Sequence, residues 1–155
     1  MSKAPKQVSE FLSKRRIAVA GVSRDVRQPA NAIYRKLRGA GYDVCAINPN
    51  VAQVEGDPCY PDLYSVPEPV EAVMVVTHPD IAAKIVRECA DLGIRHVWLH
   101  RSFGQGSVSE DAAKECERHN INCLVGGCPM MYCEPVDFGH RCMKWILKIQ
   151  SLLPE

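Results

Sequence analysis

Five short apolar runs alternate with amphipathic stretches along this chain, and that alternation restricts the fold more than any other feature. The runs are Arg16 to Val22, Asp43 to Ile47, Val70 to Thr77, Val97 to His100 and Asn122 to Val125. The third is apolar enough to be covered on both faces, as parallel strands are. Between the runs, Ala30 to Ala40 puts Ile33, Leu37 and Ala40 on one helical stripe. A second helix starts at His78-Pro79-Asp80 and runs to about Leu92, with Ile81, Ile85, Val86 and Cys89 inward and Gly93 as its stop. A third begins at Ser109, with Glu110 and Asp111 in its first turn, and extends to about His119. Strands joined by helices of this length pair in parallel through right-handed crossovers. The expected fold is therefore α/β, a doubly wound parallel sheet of five or so strands in the order 3-2-1-4-5, with helices on both faces.

A chain of 155 residues is expected to form one domain with a core of its own. Val8, Phe11 and Leu12 share one face of a short leading helix within Val8 to Lys14, packed on the sheet edge. Val51 to Pro69, broken by Gly-Asp-Pro, Tyr-Pro and Pro-Glu-Pro, reads as an irregular connection with Leu63 and Val66 tucked inward. Beyond Cys128 comes a cysteine-rich helical extension whose last helix covers about Val136 to Ser151.

In doubly wound sheets, ligands settle beyond the carboxyl ends of the strands at the switch point. Here that means the loops Gly21 to Pro29, Asn48 to Asn50, Thr77 to Pro79 and His100 to Gly104, around a switch point expected between strands one and four. The first loop carries the chemistry. Gly21 lets the chain turn with no Cβ in the way, and Ser23 offers a hydroxyl and a backbone N–H. A helix then starts after Pro29, so its positive dipole end faces whatever sits over the turn, and Arg24 and Arg27 add full charges. A phosphate group is the expected guest.

Composition narrows the partners. Nineteen basic and eighteen acidic side chains give a net charge near +1, which argues against nucleic acid or an anionic membrane as a general partner. No apolar run approaches the roughly 18 to 20 residues a membrane-spanning helix needs. Eight cysteines without an N-terminal apolar leader point to reduced thiols in a cytoplasm.

Two common nucleotide signatures are missing. A dinucleotide fingerprint wants three spaced glycines and an acidic residue about 20 positions on, but the turn has only Gly21 and the second strand ends in Asn48-Pro49. No Gly-Lys-Ser or Gly-Lys-Thr of a Walker loop occurs. What the chain does carry, in order, is Ala-Gly-Val-Ser23, Pro29 and its helix, Gly-Tyr-Asp-Val-Cys-Ala-Ile-Asn-Pro49, Gly56, Cys59-Tyr60-Pro61-Asp62-Leu63, Val66-Pro67, the apolar third strand and His96-Val97-Trp98. Over about Val8 to Cys128 this ordered set resembles the small stand-alone CoA-binding proteins, whose Rossmann-like domain is shared with the α subunit of succinyl-CoA synthetase. The resemblance implies coenzyme A or an acyl-CoA as ligand. Gly21, Val22 and Ser23 would hold its phosphate oxygens, Asn48 and Pro49 would border the adenosine side, and Thr77, His78 and Pro79 would line the path of the pantetheine arm. Arg24 and Arg27 are expected at the pyrophosphate or 3′-phosphate on charge and placement. Two departures stand out: the synthetase has a more glycine-rich first loop, and the cysteine-rich tail has no counterpart.

No catalytic residue is identifiable; His78 and His100 read more simply as a cap or solvated side chains than as catalysts. The leading expectation is a binding module for CoA or an acyl-CoA. One alternative is a CoA-using ligase or transferase component that needs a partner subunit. Another is a metal- or thiol-dependent interaction protein built on Cys128, Cys133, His140 and Cys142. The spacing of that set matches no usual zinc site and lacks a Cys-x-x-Cys hook, so inert buried thiols are the favoured reading. Met130, Met131 and Tyr132 read as core or a subunit contact rather than as lining of the pantetheine pocket, the alternative. Trp145, Ile146 and Ile149 are expected to pack the last helix on the sheet, with pairing of two copies as a homodimer the alternative use. Arg15-Arg16 reads as a solvated strand edge.

Overall fold

The computed structural model describes residues 5–101 and 105–154. In chain order the elements are α1 (Lys6–Leu12), β1 (Arg16–Ala20), α2 (Pro29–Gly39), β2 (Asp43–Ile47), β3 (Gln53–Val54), β4 (Asp57–Tyr60), β5 (Ala72–Val75), α3 (Pro79–Asp91), β6 (His96–Leu99), α4 (Glu110–Arg118), β7 (Asn122–Val125), a 3₁₀ turn (Pro129–Met131) and α5 (Phe138–Ile149). The sheet has seven strands in the order β3-β4-β2-β1-β5-β6-β7. All neighbours pair in parallel except β3 with β4.

Side-chain alternation along the central strands divides the core into two layers. Ile17, Val19, Met74 and Trp98 point to a cluster with Val8, Phe11, Ile33, Tyr34, Leu37 and Leu147, contributed by α1, α2 and α5. Ala18, Ala20, Val73, Val75, Val97 and Leu99 point the other way, to Ile85, Val86, Cys89 and Cys116 of α3 and α4. All four residues of β5 are fully buried, as a central strand covered on both faces requires. Trp98 stands in the middle of the first layer, edge-on to Phe11 at 5.3 Å, and its indole N–H donates to the Gly126 carbonyl at 2.8 Å. The fold is thus the Rossmann-like three-layer α/β arrangement.

Two expectations need correction. Val51 to Pro69 is not wholly irregular: Gln53–Val54 and Asp57–Tyr60 form a two-residue hairpin whose turn, Glu55-Gly56, has positive φ at both residues (52° and 81°). β4 takes the place outside β2 that was expected of the third strand, and that strand, β5, lies against β1 instead. The switch point therefore falls between β1 and β5. Helix α2 leaves β1 toward one face and α3 leaves β5 toward the other, so the loops at the carboxyl ends of these two strands splay apart and open a cleft.

Four side-chain expectations also change. Ala40 lies exposed past the end of α2, and Tyr34 is the buried residue beside Ile33 and Leu37. Ile81 is 47% exposed because its helix starts at the cleft rim. Trp145, Ile146 and Ile149 do not pack on the sheet: α5 lies down with Leu147 inward and leaves those three outward. Arg16, expected in solvent, is mostly buried and pairs with Asp43 and Glu68. Among the described residues no helix is long and apolar enough to cross a membrane.

Candidate functional site

The turn after β1 is fixed by backbone and side-chain bonds. Gly21 adopts φ +104° and donates its N–H to the Ile47 carbonyl at 3.0 Å. A methyl group built on it would collide with the Val76 carbonyl, so the turns after β1 and β5 touch at a place where only glycine fits. Two residues on, Asn31 of α2, fully buried, holds Ser23 from behind: its Oδ1 accepts the Ser23 N–H at 3.0 Å and its Nδ2 donates to the Ser23 carbonyl at 2.7 Å. The same Nδ2 donates to Glu55 in the β3–β4 turn at 2.9 Å, and Arg35 closes the network on Glu55 at 2.6 Å. The Ser23 N–H is therefore engaged inside the protein rather than offered to a guest. The Ser23 hydroxyl accepts from the Asp25 N–H at 3.2 Å and donates to the Asp25 carbonyl only at 3.5 Å, a long bond that an anion would readily replace.

Helix α2 begins beside this turn with Gln28 as an extended N-cap that makes no side-chain cap bond and Pro29 in its first turn. An uncapped N-terminus pointing into a cleft is a ready anion site. The cavity in front of it has a volume of about 810 Å³, within the range of ligand pockets. Gly21, Ser23, Gln28 and Pro29 form one wall, and Asn48, Pro49 and Asn50 a second. Asn48 is pinned at both ends, donating to the Val22 carbonyl at 2.8 Å and accepting the Asn50 N–H at 2.9 Å. Opposite lie Thr77 and His78. Thr77 is locked to Ser107, which accepts the Thr77 N–H and donates to the Thr77 carbonyl, both at 2.8 Å. His78 is the N-cap of α3, its Nδ1 accepting the Asp80 N–H at 3.5 Å.

Of the residues expected at the site, Gly21, Ser23, Asn48, Pro49, Thr77 and His78 share this cavity. Val22 is fully buried in the core beneath the turn, and Pro79 starts α3 behind His78. Arg24 donates to the Asn50 carbonyl at 3.0 Å, tying the first loop to the second at the rim. Arg27 turns outward onto Asp25 at 2.9 Å and holds that carboxyl below its usual range. Of the loop His100 to Gly104, residues 102–104 lie outside the described residues.

Sequence reasoning missed Asn31, Lys84, Glu88 and Ser107. Glu88 is 5% exposed at the cavity wall, where it accepts the Leu63 N–H at 3.0 Å. A carboxylate on the same helical stripe as Ile81 and Ile85 was the available signal, because apolar positions rarely carry one without a partner. His100, 7% exposed, also borders the cavity; burial, aided by nearby His140, holds its imidazole down to about 4, so this ring is neutral at pH 7.

The tail thiols are mostly interior. Cys128 and Cys133 are buried, and burial pushes the Cys128 thiol up to about 12. Cys142 is half-buried, and His140 is held by Asp137 at 2.6 Å. Among the described residues no group of three or more His, Cys, Asp or Glu side chains could hold a metal ion.

The fold and cleft define a Rossmann-like domain with a glycine turn and a helix N-terminus facing a cavity at the sheet's switch point. The chain belongs to the CoA binding domain family, whose family model matches residues 15–134. It is 34% identical over 116 residues to acetate–CoA ligase (ADP-forming) I of Archaeoglobus fulgidus, an alignment covering 71% of this chain and 17% of the ligase. The second such ligase of that organism is 29% identical over 103 residues, 65% of this chain and 15% of the ligase. The chain thus spans less than a fifth of the length of these curated relatives. Among solved structures, a hypothetical protein from Pyrococcus horikoshii OT3 superposes with a TM-score of 0.77 at 24% identity, covering 88% of this chain and 98% of that one. The likeness establishes the fold.

Proposed function

We propose that the chain binds coenzyme A or an acyl-CoA in the switch-point cleft and has no catalytic residue of its own. The pyrophosphate lies against Gly21 and Ser23 at the N-terminus of α2. The adenosine side is bordered by Asn48 and Pro49, and the pantetheine arm follows Thr77, His78 and Pro79. Arg24 and Arg27 supply cations at the rim, where both guanidinium groups reach solvent and can reorient toward phosphate. One observation carries this reading: a glycine turn with no room for a Cβ meets an uncapped helix N-terminus at the mouth of an 810 Å³ cavity, in a chain of the CoA binding domain family. The cleft suits such a ligand because its remaining walls mix apolar and hydrogen-bonding surface, as a long, partly polar arm requires. Six buried thiols among eight cysteines fit a reducing cytoplasm.

Calorimetric titration with CoA, NAD and ATP tests the reading. Selective binding of CoA is expected, while a preference for NAD or no response to CoA would overturn it. Replacement of Ser23 by Asp puts a carboxylate where phosphate should sit and is expected to weaken CoA binding. Unchanged affinity removes Ser23 from the site.

The likeness to a small part of a longer ligase favours a second reading, a component that delivers CoA to a partner subunit. Co-purification of the native protein with such a subunit supports it. A single species that binds CoA alone supports the simple module.

A further inference from the structure

Helix α5 lies beyond residues 15–134, the span of the family match, and it is apolar on two opposite sides. Leu147 is fully buried against the sheet and Met143 packs beside it. On the outward side Phe138 is 80% exposed, Trp145 67% and Ile149 65%, with half-buried Cys142 in the same line. The spacing 138, 142, 145, 149 alternates four and three residues. That is the seam spacing with which one helix packs along another, not the broad stripe a helix offers to a flat surface.

We propose that this seam is the interface of a homodimer, in which α5 of a second copy lies antiparallel across it. The occupant is inferred from the self-complementarity of the helix. With the twofold axis midway between Met143 and Lys144, Phe138 meets the partner's Ile149 and Trp145 lies over the smaller Cys142 of the partner subunit. On one flank Ile146, 37% exposed, covers the partner's Gly139, which has no side chain of its own and is bordered by the Asp137 carboxylate. On the other flank Lys148 falls beside the partner's Arg141, both side chains being exposed so that their charged ends reach water. The twofold makes every one of these contacts twice.

The area is sufficient. At about 150 to 250 Å² per aromatic side chain, Phe138 and Trp145 leave roughly 300 Å² uncovered, and the two isoleucines add about half as much again. Two copies then bury about 900 Å² of apolar surface, and Cys142 with the stems of Arg141 and Lys148 brings the total to the roughly 1,200 Å² at which specific interfaces begin. A patch of this size left open on a monomer would be an aggregation hazard. The proposal is independent of the CoA reading, since α5 contributes nothing to the cavity wall.

Sedimentation equilibrium at about 50 μM, where a micromolar dimer is mostly associated, tests it. Wild type is expected at twice the chain mass. Trp145→Lys and Ile149→Lys, both at exposed positions, are each expected to sediment as monomers, with circular dichroism melting unchanged at dilutions where wild type is also monomeric and with unchanged CoA titration. As an orthogonal readout, Trp145 emission should shift to shorter wavelength as wild type is concentrated, because the other tryptophan, Trp98, is already buried. A monomeric wild type overturns the proposal, as does a dimer that both lysine variants leave intact. Monomers that co-sediment with vesicles containing anionic lipid also overturn it, since the basic residues Arg141, Lys144 and Lys148 would then be serving a membrane surface.

Discussion

Replacing Asn31 with Ala tests whether the anion turn is held in shape from behind. The side chain is fully buried and makes three hydrogen bonds, two to the Ser23 backbone and one to Glu55. Removing it strands the Ser23 N–H and carbonyl and leaves the Glu55 carboxylate, whose side chain is 8% exposed, on Arg35 alone. At about 1 kcal/mol for each bond, and more where a group is left unsatisfied, the loss should be about 2 to 4 kcal/mol. For a chain of this size that lowers Tm by about 4 to 16 °C. Asn31→Asp keeps the shape but sets a carboxylate against Glu55 and against the Ser23 carbonyl, so it should be no better than Ala. Thermal unfolding followed by circular dichroism gives the stability, and calorimetry on the folded variant gives the CoA affinity, which should fall about tenfold, or 1.4 kcal/mol, as the turn relaxes. A purely structural Asn31 would lower Tm and leave the affinity alone. An Ala variant with wild-type melting and wild-type affinity would refute the reasoning outright.

Three further outcomes follow from the same geometry. Gly21→Ala combines a positive φ with a collision at the Val76 carbonyl and should cost at least about 3 kcal/mol, read by denaturant unfolding; a neutral Ala would mean the two turns do not touch. His100 binds its proton near pH 4 in the fold against an ordinary value of 6.5. The unfolded chain therefore holds more protons between those values, and stability falls as pH drops from 6.5 toward 4, by on the order of 3 kcal/mol. His100→Gln should flatten that slope, and parallel losses in both proteins would exclude His100 as its source. Titration of thiols with an aromatic disulfide should show Cys123 and Cys142 reacting in the native state and all eight only after guanidinium; rapid reaction of Cys128 would contradict its burial.

The layers of the fold were readable because the central strands are dense in buried aliphatic residues and each helix announces itself with a cap or a proline. Ser109 accepts the Ala112 N–H at 3.0 Å, and Pro29 and Pro79 open α2 and α3. The β3–β4 hairpin was not readable, since its strands are two and four residues long and Pro58 sits inside one of them. Its only signal was Glu55-Gly56, a weak relative of the Asn-Gly turn. With that strand uncounted, the neighbour of β2 was assigned to β5, although the central residues of the switch point were unaffected. The outward placement of Trp145, Ile146 and Ile149 stood only as the alternative expectation, for a different reason. A helix with apolar residues on two faces does not reveal which face the sheet takes, and only packing shows that Leu147 won. At the site, Gly21 and Asn48-Pro49 stood out as breaks in pattern. Asn31 did not, because a single buried polar residue in an apolar stripe looks like noise until its partners, 8 and 24 residues away, are in view.

Crystallography of the protein grown with coenzyme A examines the central claim most directly. The account predicts the pyrophosphate over the turn after β1, with an oxygen within hydrogen-bond reach of the Ser23 hydroxyl and the N-terminus of α2. Ligand lodged away from β1 and β5, with that turn empty, would contradict it.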